Sequence, residues 1–143
     1  MTRVDFYILG ERAGGDRFLL ACRLAEKAWG LGNRVYLHTG SSAEARHLDR
    51  LLWSFRQGNF LPHGLAGECD PGLNPILVGH GDDPGEEHGV LINLCHQVPP
   101  FFSRFERLAE PIDRDPEVRQ AGRERFRFYR DRGYPLDSHE IPR

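Results

Sequence analysis

The stretch VDFYILGERAGGDRFLLACRLAEKAWGLGNRVYLHT, residues 4–39, decides the fold. VDFYIL (4–9) is a short apolar run rich in β-formers, which is typical of a buried strand. Asp16 predicts a helix cap, and the apolar spacing after it predicts a helix to about Leu31. RVYLHT (34–39) predicts a second strand. A strand, a helix and a strand joined by short turns indicate an α/β fold with a mainly parallel sheet.

Beyond these elements the alternation of strands and helices continues and then becomes less regular. Ser41 or Ser42 predicts the start of a second helix that runs to about Phe55. Residues 60–75 are rich in glycine and proline, and we expect side-chain contacts to order them more than strand pairing. The other expected elements are strands over 75–80 and 90–94, whose relative direction stays open, a short helix over 99–108, a turn over 111–115 and a terminal helix over about 114–132.

Length and composition indicate a single globular domain over residues 1–143. The chain is 39% hydrophobic and 28% charged, and it lacks an apolar run near the ~20 residues that a membrane span needs. The N-terminus lacks the pattern of a secretion signal, and the odd, widely spaced cysteines Cys22, Cys69 and Cys95 fit reduced thiols better than disulfides. We therefore expect a cytoplasmic protein without membrane contact.

The positive charge is concentrated near the C-terminus, although the formal net charge is −2. Residues 114–132 hold seven arginines against four acidic residues, and Lys27 is the only lysine of the chain. A GC-rich coding sequence would also give an arginine excess, so the position of the arginines carries the argument and not their number. A local basic surface indicates a partner with carboxylates or phosphates.

The first strand-to-helix turn, LGERAGGDR (9–17), is where an α/β protein would hold a phosphate. Gly10 and Gly15 have the spacing of the two Walker glycines, but Asp16-Arg17 stands where Lys-Ser/Thr is required. A carboxylate at the helix start repels a phosphate. We therefore expect a capped loop and no nucleotide site.

Metal binding and thiol catalysis are not expected either. The candidate ligands Cys69, His80, His88, Cys95 and His96 fit no zinc spacing. Cys95 and His96 are neighbours at the end of a strand, so their side chains point to opposite faces and cannot pair directly. The acidic turn GDDPGEEHG resembles a solvated loop. The sequence predicts no catalytic residue, no metal and no cofactor.

The terminal helix combines basic and aromatic side chains, most densely in RERFRFYRDR (123–132). Helical spacing predicts two adjoining stripes, one of Arg119, Arg123, Arg127 and Arg130 and one of Val118, Gly122, Phe126 and Tyr129. A partner with carboxylates beside an apolar anchor would match both stripes, and so would a single nucleic-acid strand. Alternatively, the aromatics belong to the core and the arginines only cover the surface.

Several blocks resemble the chi subunit family of bacterial DNA polymerase III, from end to end of the chain. They are VDFYIL, AEKAWGLGNRVYL, ARHLDRLLWSF, NFLPHGLAGE, VLINL and RERFRFYRDRGY, in that order. LDRLLW followed by NFLPHGLAGE is the most specific of them. The resemblance implies a Rossmann-like three-layer α/β domain with a mainly parallel central sheet, helices on both faces and no nucleotide-binding motif. It also implies a non-catalytic adaptor that needs no cofactor.

The resemblance further implies that the terminal helix binds the acidic, phenylalanine-ended C-terminal tail of single-stranded DNA-binding protein. The family's basic positions fall on Arg119 and Arg123, and its aromatic position on Phe126, with Arg127 and Tyr129 as further expected contacts. Arginine replaces the family's lysine at 119, and phenylalanine replaces tyrosine at 126, which removes a hydroxyl. Tyr129 is therefore the expected polar contact.

The second implied surface binds the psi subunit, which links the chain to the clamp loader. It is expected at Trp53, Phe60, Leu61, Pro62 and His63, where an iron–sulfur helicase is a further expected occupant. Inward packing of Trp53 and Phe60 against the sheet edge is the alternative. Two other functions stay open. One is direct binding of single-stranded nucleic acid by the terminal helix, which the negative net charge disfavours, and the other is a small-molecule enzyme. An adaptor of the expected kind would contact DNA only indirectly.

Overall fold

The computed structural model describes residues 1–58 and 60–142. Its strands are β1 (Arg3–Leu9), β2 (Val35–Thr39), β3 (His63–Leu65), β4 (Ile76–His80), β5 (Val90–Asn93), β6 (Arg107–Ile112) and β7 (Leu136–Ile141). Its helices are α1 (Arg17–Gly30), α2 (Ser42–Ser54) and α3 (Pro116–Asp131), with a 3₁₀ turn at Phe102–Arg104. The described residues therefore contain seven strands and three α-helices.

The strands form one sheet in the order β3-β4-β2-β5-β6-β1-β7, and every neighbouring pair runs parallel. The predicted mainly parallel α/β sheet is confirmed. The relative direction of the strands expected over 75–80 and 90–94, which the sequence left open, is parallel. These strands are β4 and β5, which lie on opposite sides of β2 and both run parallel to it.

Helices cover both faces of the sheet, as the three-layer fold requires. On one face, α1 and α2 pack their buried residues, including Ala25, Leu48 and Leu52, on Leu37, Val78 and Ile92. On the other face, α3 and the 3₁₀ turn place Phe102, Val118 and Tyr129 on Val4, Phe6 and Leu108.

The predicted helix caps are present in the structure. The Asp16 carboxylate accepts a hydrogen bond from the Leu19 amide at the start of α1. At the start of α2, the Ser41 hydroxyl accepts from the Glu44 amide, while the Glu44 carboxylate accepts from the Gly40 amide. The Ser41 contact satisfies an amide of the first helical turn, and the Glu44 contact fixes the residue that precedes the cap.

The helix predicted over 99–108 is wrong. Only a short 3₁₀ turn forms there, and residues 107–112 form β6, between β5 and β1. The predicted turn over 111–115 therefore starts too early. Pro111 is tolerated because the pairing of β6 with β5 ends at Ala109, so the missing amide of Pro111 costs no hydrogen bond to β5.

Two further strands extend the sheet at its edges. Residues 63–65 form β3, so part of the 60–75 segment is ordered by strand pairing after all. After α3, the chain turns at Gly133, where φ is +77°, and adds β7 beside β1. Within the described ranges, no helix has the length and apolar character of a membrane span.

Candidate functional site

A buried polar network fixes the orientation of α3 on the sheet. The Glu110 carboxylate of β6 has no solvent exposure and accepts hydrogen bonds from Arg125, Tyr129 and Asn93 at 2.7–3.2 Å. Arg125 also donates to the His96 carbonyl at 2.8 Å. Burial, together with the neighbouring carboxylate, raises the pKa of Tyr129. Because each group is paired, the network holds one flank of α3 against the sheet.

The other flank of α3 borders a groove of about 300 Å³ over β1, β6 and β7. Its apolar lining is Phe6, Ile8, Ile112 and Phe126, and its polar lining is Arg119, Arg123, Arg127, Arg130 and Ser138, with Gly122 between them. The chain therefore builds a small apolar cleft with arginines along one side. We call this feature the α3 groove.

Gly122 lets α3 lie close to the sheet beneath the groove. A Cβ atom at this position would lie 2.7 Å from the Cδ1 atom of Ile112. Any larger residue would therefore displace the helix or the isoleucine, and both line the groove.

The groove arginines differ in how firmly the protein holds them. Arg119 is half-buried and donates to the Leu9 and Asp113 carbonyls, both at 3.1 Å. Arg123 is exposed and has one long hydrogen bond, 3.4 Å, to Gln120. Arg127 is exposed and has no hydrogen bond or ion pair to the described residues. Arg123 and Arg127 therefore have the most donors free for a ligand.

The structure brings together four of the five tail contacts expected from the sequence: Arg119, Arg123, Phe126 and Arg127 line one groove. Tyr129 is not among them. It is 0% exposed, and its hydroxyl is bound to Glu110. The expectation that Tyr129 offers a polar contact is wrong, because the buried carboxylate already uses that hydroxyl.

The strand residues of the groove were missed at the level of sequence. Phe6, Ile8, Ile112 and Ser138 come from three strands that are far apart along the chain. Alternation along β1 places Phe6 and Ile8 on the same face, which is a usable signal. Pairing of β1 with β6 and β7 is what brings the other two beside them.

A second exposed feature is an aromatic pair at the opposite edge of the sheet. Trp53 at the end of α2 is 56% exposed, and Phe60 before β3 is 65% exposed. Their ring centroids are 5.6 Å apart. The two side chains therefore do not pack inward against the edge of the sheet. We call Trp53 and Phe60 the aromatic pair.

The neighbours of the aromatic pair lie beneath it. Leu61 and His63 are buried, and Pro62 is half-buried. One ring nitrogen of His63 is 2.6 Å from the Leu61 carbonyl oxygen, the other is 3.1 Å from that of Asp49, and the ring lies 4.5 Å from the Trp53 ring. Leu61 and His63 thus support the aromatic pair and offer little surface of their own, contrary to the expected direct contact.

Side chains of the adjoining loops occupy part of the crevice where many α/β proteins bind ligands. It lies at the carboxyl ends of β1 and β6, because α1 and α3 leave these strands toward opposite faces. Asp113 accepts from the Arg17 amide there at 3.0 Å. Arg114 donates to the carbonyls of Gly10, Ala13 and Gly15. Within the described ranges, no three His, Cys, Asp or Glu side chains lie together in a way that could hold a metal ion.

Comparison with known proteins assigns the chain to a family. The family model "DNA polymerase III chi subunit, HolC" matches residues 1–137. A curated Pseudomonas aeruginosa protein, DNA polymerase III subunit chi, is 48% identical over 143 residues, covering 100% of this chain and 99% of the relative. The subunit chi of Escherichia coli is 27% identical and covers 96% of this chain and 97% of that protein.

A solved structure shares the fold alone. The crystal structure of T4 UvsW matches with a TM-score of 0.68 at 8% identity, over 99% of this chain and 42% of that one. The family match is the specific one: this chain belongs to the DNA polymerase III chi subunit family and is an accessory subunit of DNA replication.

Proposed function

We propose that this chain is a non-catalytic, cytoplasmic adaptor of the replisome. Its α3 groove binds the acidic, phenylalanine-ended C-terminal tail of single-stranded DNA-binding protein, and its aromatic pair binds the psi subunit. The observation that carries the proposal is the α3 groove, where exposed arginines lie beside an apolar cleft.

The groove has the chemistry that an acidic peptide with an aromatic end requires. An apolar floor of Phe6, Ile8 and Ile112 suits one aromatic side chain, which gains free energy by leaving water. Arg123 and Arg127 have free guanidinium donors, and guanidinium binds carboxylates through paired hydrogen bonds. Arg119 is held by backbone carbonyls, so it contributes a positioned charge with less freedom to reorient.

The aromatic pair has the character of a protein interface. Exposed tryptophan and phenylalanine in contact with one another form a compact apolar surface, and large aromatics dominate interface energies. The buried His63 and Leu61 below them keep the surface in place. An iron–sulfur helicase at the same surface would exclude psi, since both would cover the same two rings.

The separation of the two surfaces supports an adaptor function. β3, next to the aromatic pair, is one edge strand of the sheet, and β7, which lines the α3 groove, is the other. Six inter-strand spacings give a distance of about 29 Å between these edges. The two surfaces therefore share no residues, and a partner on one does not cover the other.

Direct binding of single-stranded nucleic acid is the second candidate, and the exposed Arg123 and Arg127 favour it. The aromatic side chains of α3 argue against nucleic-acid binding, because Phe126 and Phe128 are half-buried. Phe126 is also packed edge-to-face on Phe6 with a centroid distance of 5.3 Å. Bases need exposed ring faces on which to stack.

The test is fluorescence anisotropy of a labelled acidic peptide that ends in Pro-Phe. We expect Arg123→Ala to weaken binding about ten- to a hundredfold, because a charge-assisted contact is lost. The matched control is Arg132→Ala, which removes the same charge at the end of α3, where the guanidinium lies 3.6 Å from the Phe128 ring centroid. Equal effects of both variants would contradict a located site.

Two further ligands separate the candidates. A peptide without the terminal phenylalanine should bind at least tenfold more weakly if the apolar cleft receives that ring. A labelled oligothymidine should bind weakly at all salt concentrations if the groove serves a peptide. Tight oligothymidine binding that falls steeply with salt would instead favour the nucleic-acid candidate.

A further inference from the structure

A cavity of about 670 Å³ lies at the carboxyl ends of β3 and β4, apart from the α3 groove. Its volume falls within the roughly 300–1,000 Å³ usual for ligand sites. Strand residues Leu77, Val78 and Gly79 and the segment after β3 form its base. The acidic turn between β4 and β5 forms one wall, and α2 contributes Arg46.

The hydroxyl of a buried tyrosine opens into this cavity. Tyr36 is 1% exposed, and its ring packs among Phe101, Phe105 and His38. The hydroxyl passes next to Gly79, where a Cβ atom would collide with it, and the tyrosine lines the cavity. Within residues 1–58 and 60–142 it has no hydrogen-bond partner. Because Tyr36 lines the cavity, its hydroxyl oxygen is available to accept a hydrogen bond from a ligand there.

The cavity is lined mainly by negative charge. Glu68, Asp83, Glu86 and Glu87 supply carboxylates, and among the described residues of its lining Arg46 is the only arginine or lysine. Arg34 pairs with Glu87 at 3.0 Å, which leaves the other three carboxylates as the main charges facing the space. Burial, followed by the negative field of Asp83 and Glu87, raises the pKa of Tyr36 to about 12, so its hydroxyl stays protonated and neutral.

We infer that this cavity receives the arginine or lysine side chain of a partner protein, with the Tyr36 oxygen accepting one of its hydrogen bonds. An anion is excluded by the carboxylates, while a cation gains both their field and an acceptor that lacks a partner. The site differs in chemistry from the α3 groove, which is basic, and from the aromatic pair, which is uncharged.

The experiment titrates a fluorescein-labelled tetra-arginine peptide into the full chain and follows anisotropy. Tyr36→Phe removes only the hydroxyl and should weaken binding about tenfold. Asp83→Asn should weaken it too, because Asp83 lines the cavity. The matched control is Asp82→Asn, which removes the same charge from the same turn at an exposed position outside the lining and should change affinity less than twofold.

Two results would overturn the inference. If Asp82→Asn and Asp83→Asn weaken binding equally and Tyr36→Phe has no effect, the peptide binds by diffuse charge attraction and not in the cavity. If spermidine binds the cavity more tightly than the peptide at equal concentration of charge, the cavity serves small polyamines and not a protein segment. Thermal unfolding of each variant, expected within about 2 °C of the parent, shows that a loss of binding is not a loss of folding.

Discussion

The hydroxyl of Tyr129 donates a 2.7 Å hydrogen bond to the carboxylate of Glu110, and both side chains are closed to solvent. Arg125 binds the same carboxylate from the next turn of α3. These contacts set the rotation of the helix about its axis. As a consequence, Arg123 and Arg127 face solvent above the α3 groove and Phe126 contributes to its apolar lining.

Tyr129→Phe should lower the free energy of unfolding by about 1–3 kcal/mol, because a buried charged acceptor loses a donor. Affinity for the acidic peptide should stay within twofold, since Tyr129 has no surface in the groove. Urea denaturation and peptide anisotropy measure the two quantities. A variant of unchanged stability that binds the peptide poorly would show instead that Tyr129 contacts the ligand.

Gly122→Ala should weaken the binding of the acidic peptide about five- to tenfold. The new methyl group meets Ile112 Cδ1 at the base of the groove, and the side chain or the helix must move into the cleft. The double variant Gly122→Ala, Ile112→Val removes the opposing methyl group and should recover most of the affinity. Failure of the double variant to recover would separate the loss from this contact.

Replacing both members of the aromatic pair, Trp53→Ala with Phe60→Ala, should abolish psi binding and leave thermal stability nearly unchanged, since both rings are largely exposed. Leu61→Ala is the contrasting variant. It removes a buried side chain and should cost about 2–5 kcal/mol of stability. Co-purification with psi and thermal unfolding give the two measurements. Retained psi binding by the double variant would place that interface elsewhere.

Stability should fall as the pH is lowered below about 6.5, in part because of His38. This histidine is buried, its Nδ1 has no hydrogen-bond partner within the described ranges, and burial lowers its pKa. Below about pH 6.5 the unfolded chain therefore binds a proton that the folded chain does not. The free energy of unfolding then falls by up to about 1.4 kcal/mol for each pH unit.

The difference between the parent and His38→Phe isolates this contribution from the other histidines. Urea denaturation at pH 7.5, 6.5 and 5.5 should show a smaller loss of stability for the variant. Parallel curves for both proteins would mean that His38 binds its proton equally in the folded and unfolded states.

The strand–helix–strand–helix order and the parallel sheet were readable from the sequence because each early element is long, periodic and capped. β6 could not be predicted, because Glu110 makes RLAEPI resemble a polar segment. The burial of Glu110 is stable in the fold only because Arg125, Tyr129 and Asn93 donate hydrogen bonds to it. A charged residue is predicted to be exposed unless its partners are known.

The sequence predicted the arginines of the candidate site but not the strand residues that form its floor. Helical spacing groups the groove arginines correctly, but Phe126 and Tyr129 are neighbours on the same stripe, and periodicity does not distinguish the groove from the core. The floor residues require the position of β1 between β6 and β7. That order follows from tertiary packing and not from any local pattern.

The most direct test of the central claim is a ¹⁵N NMR titration of the full chain with the acidic peptide ending in Pro-Phe. The account predicts that the amides of Gly122, Phe126 and Ser138 shift in a saturable way, while the indole of Trp53 does not. Shifts at Trp53 and Phe60 with an unchanged α3 groove would contradict it.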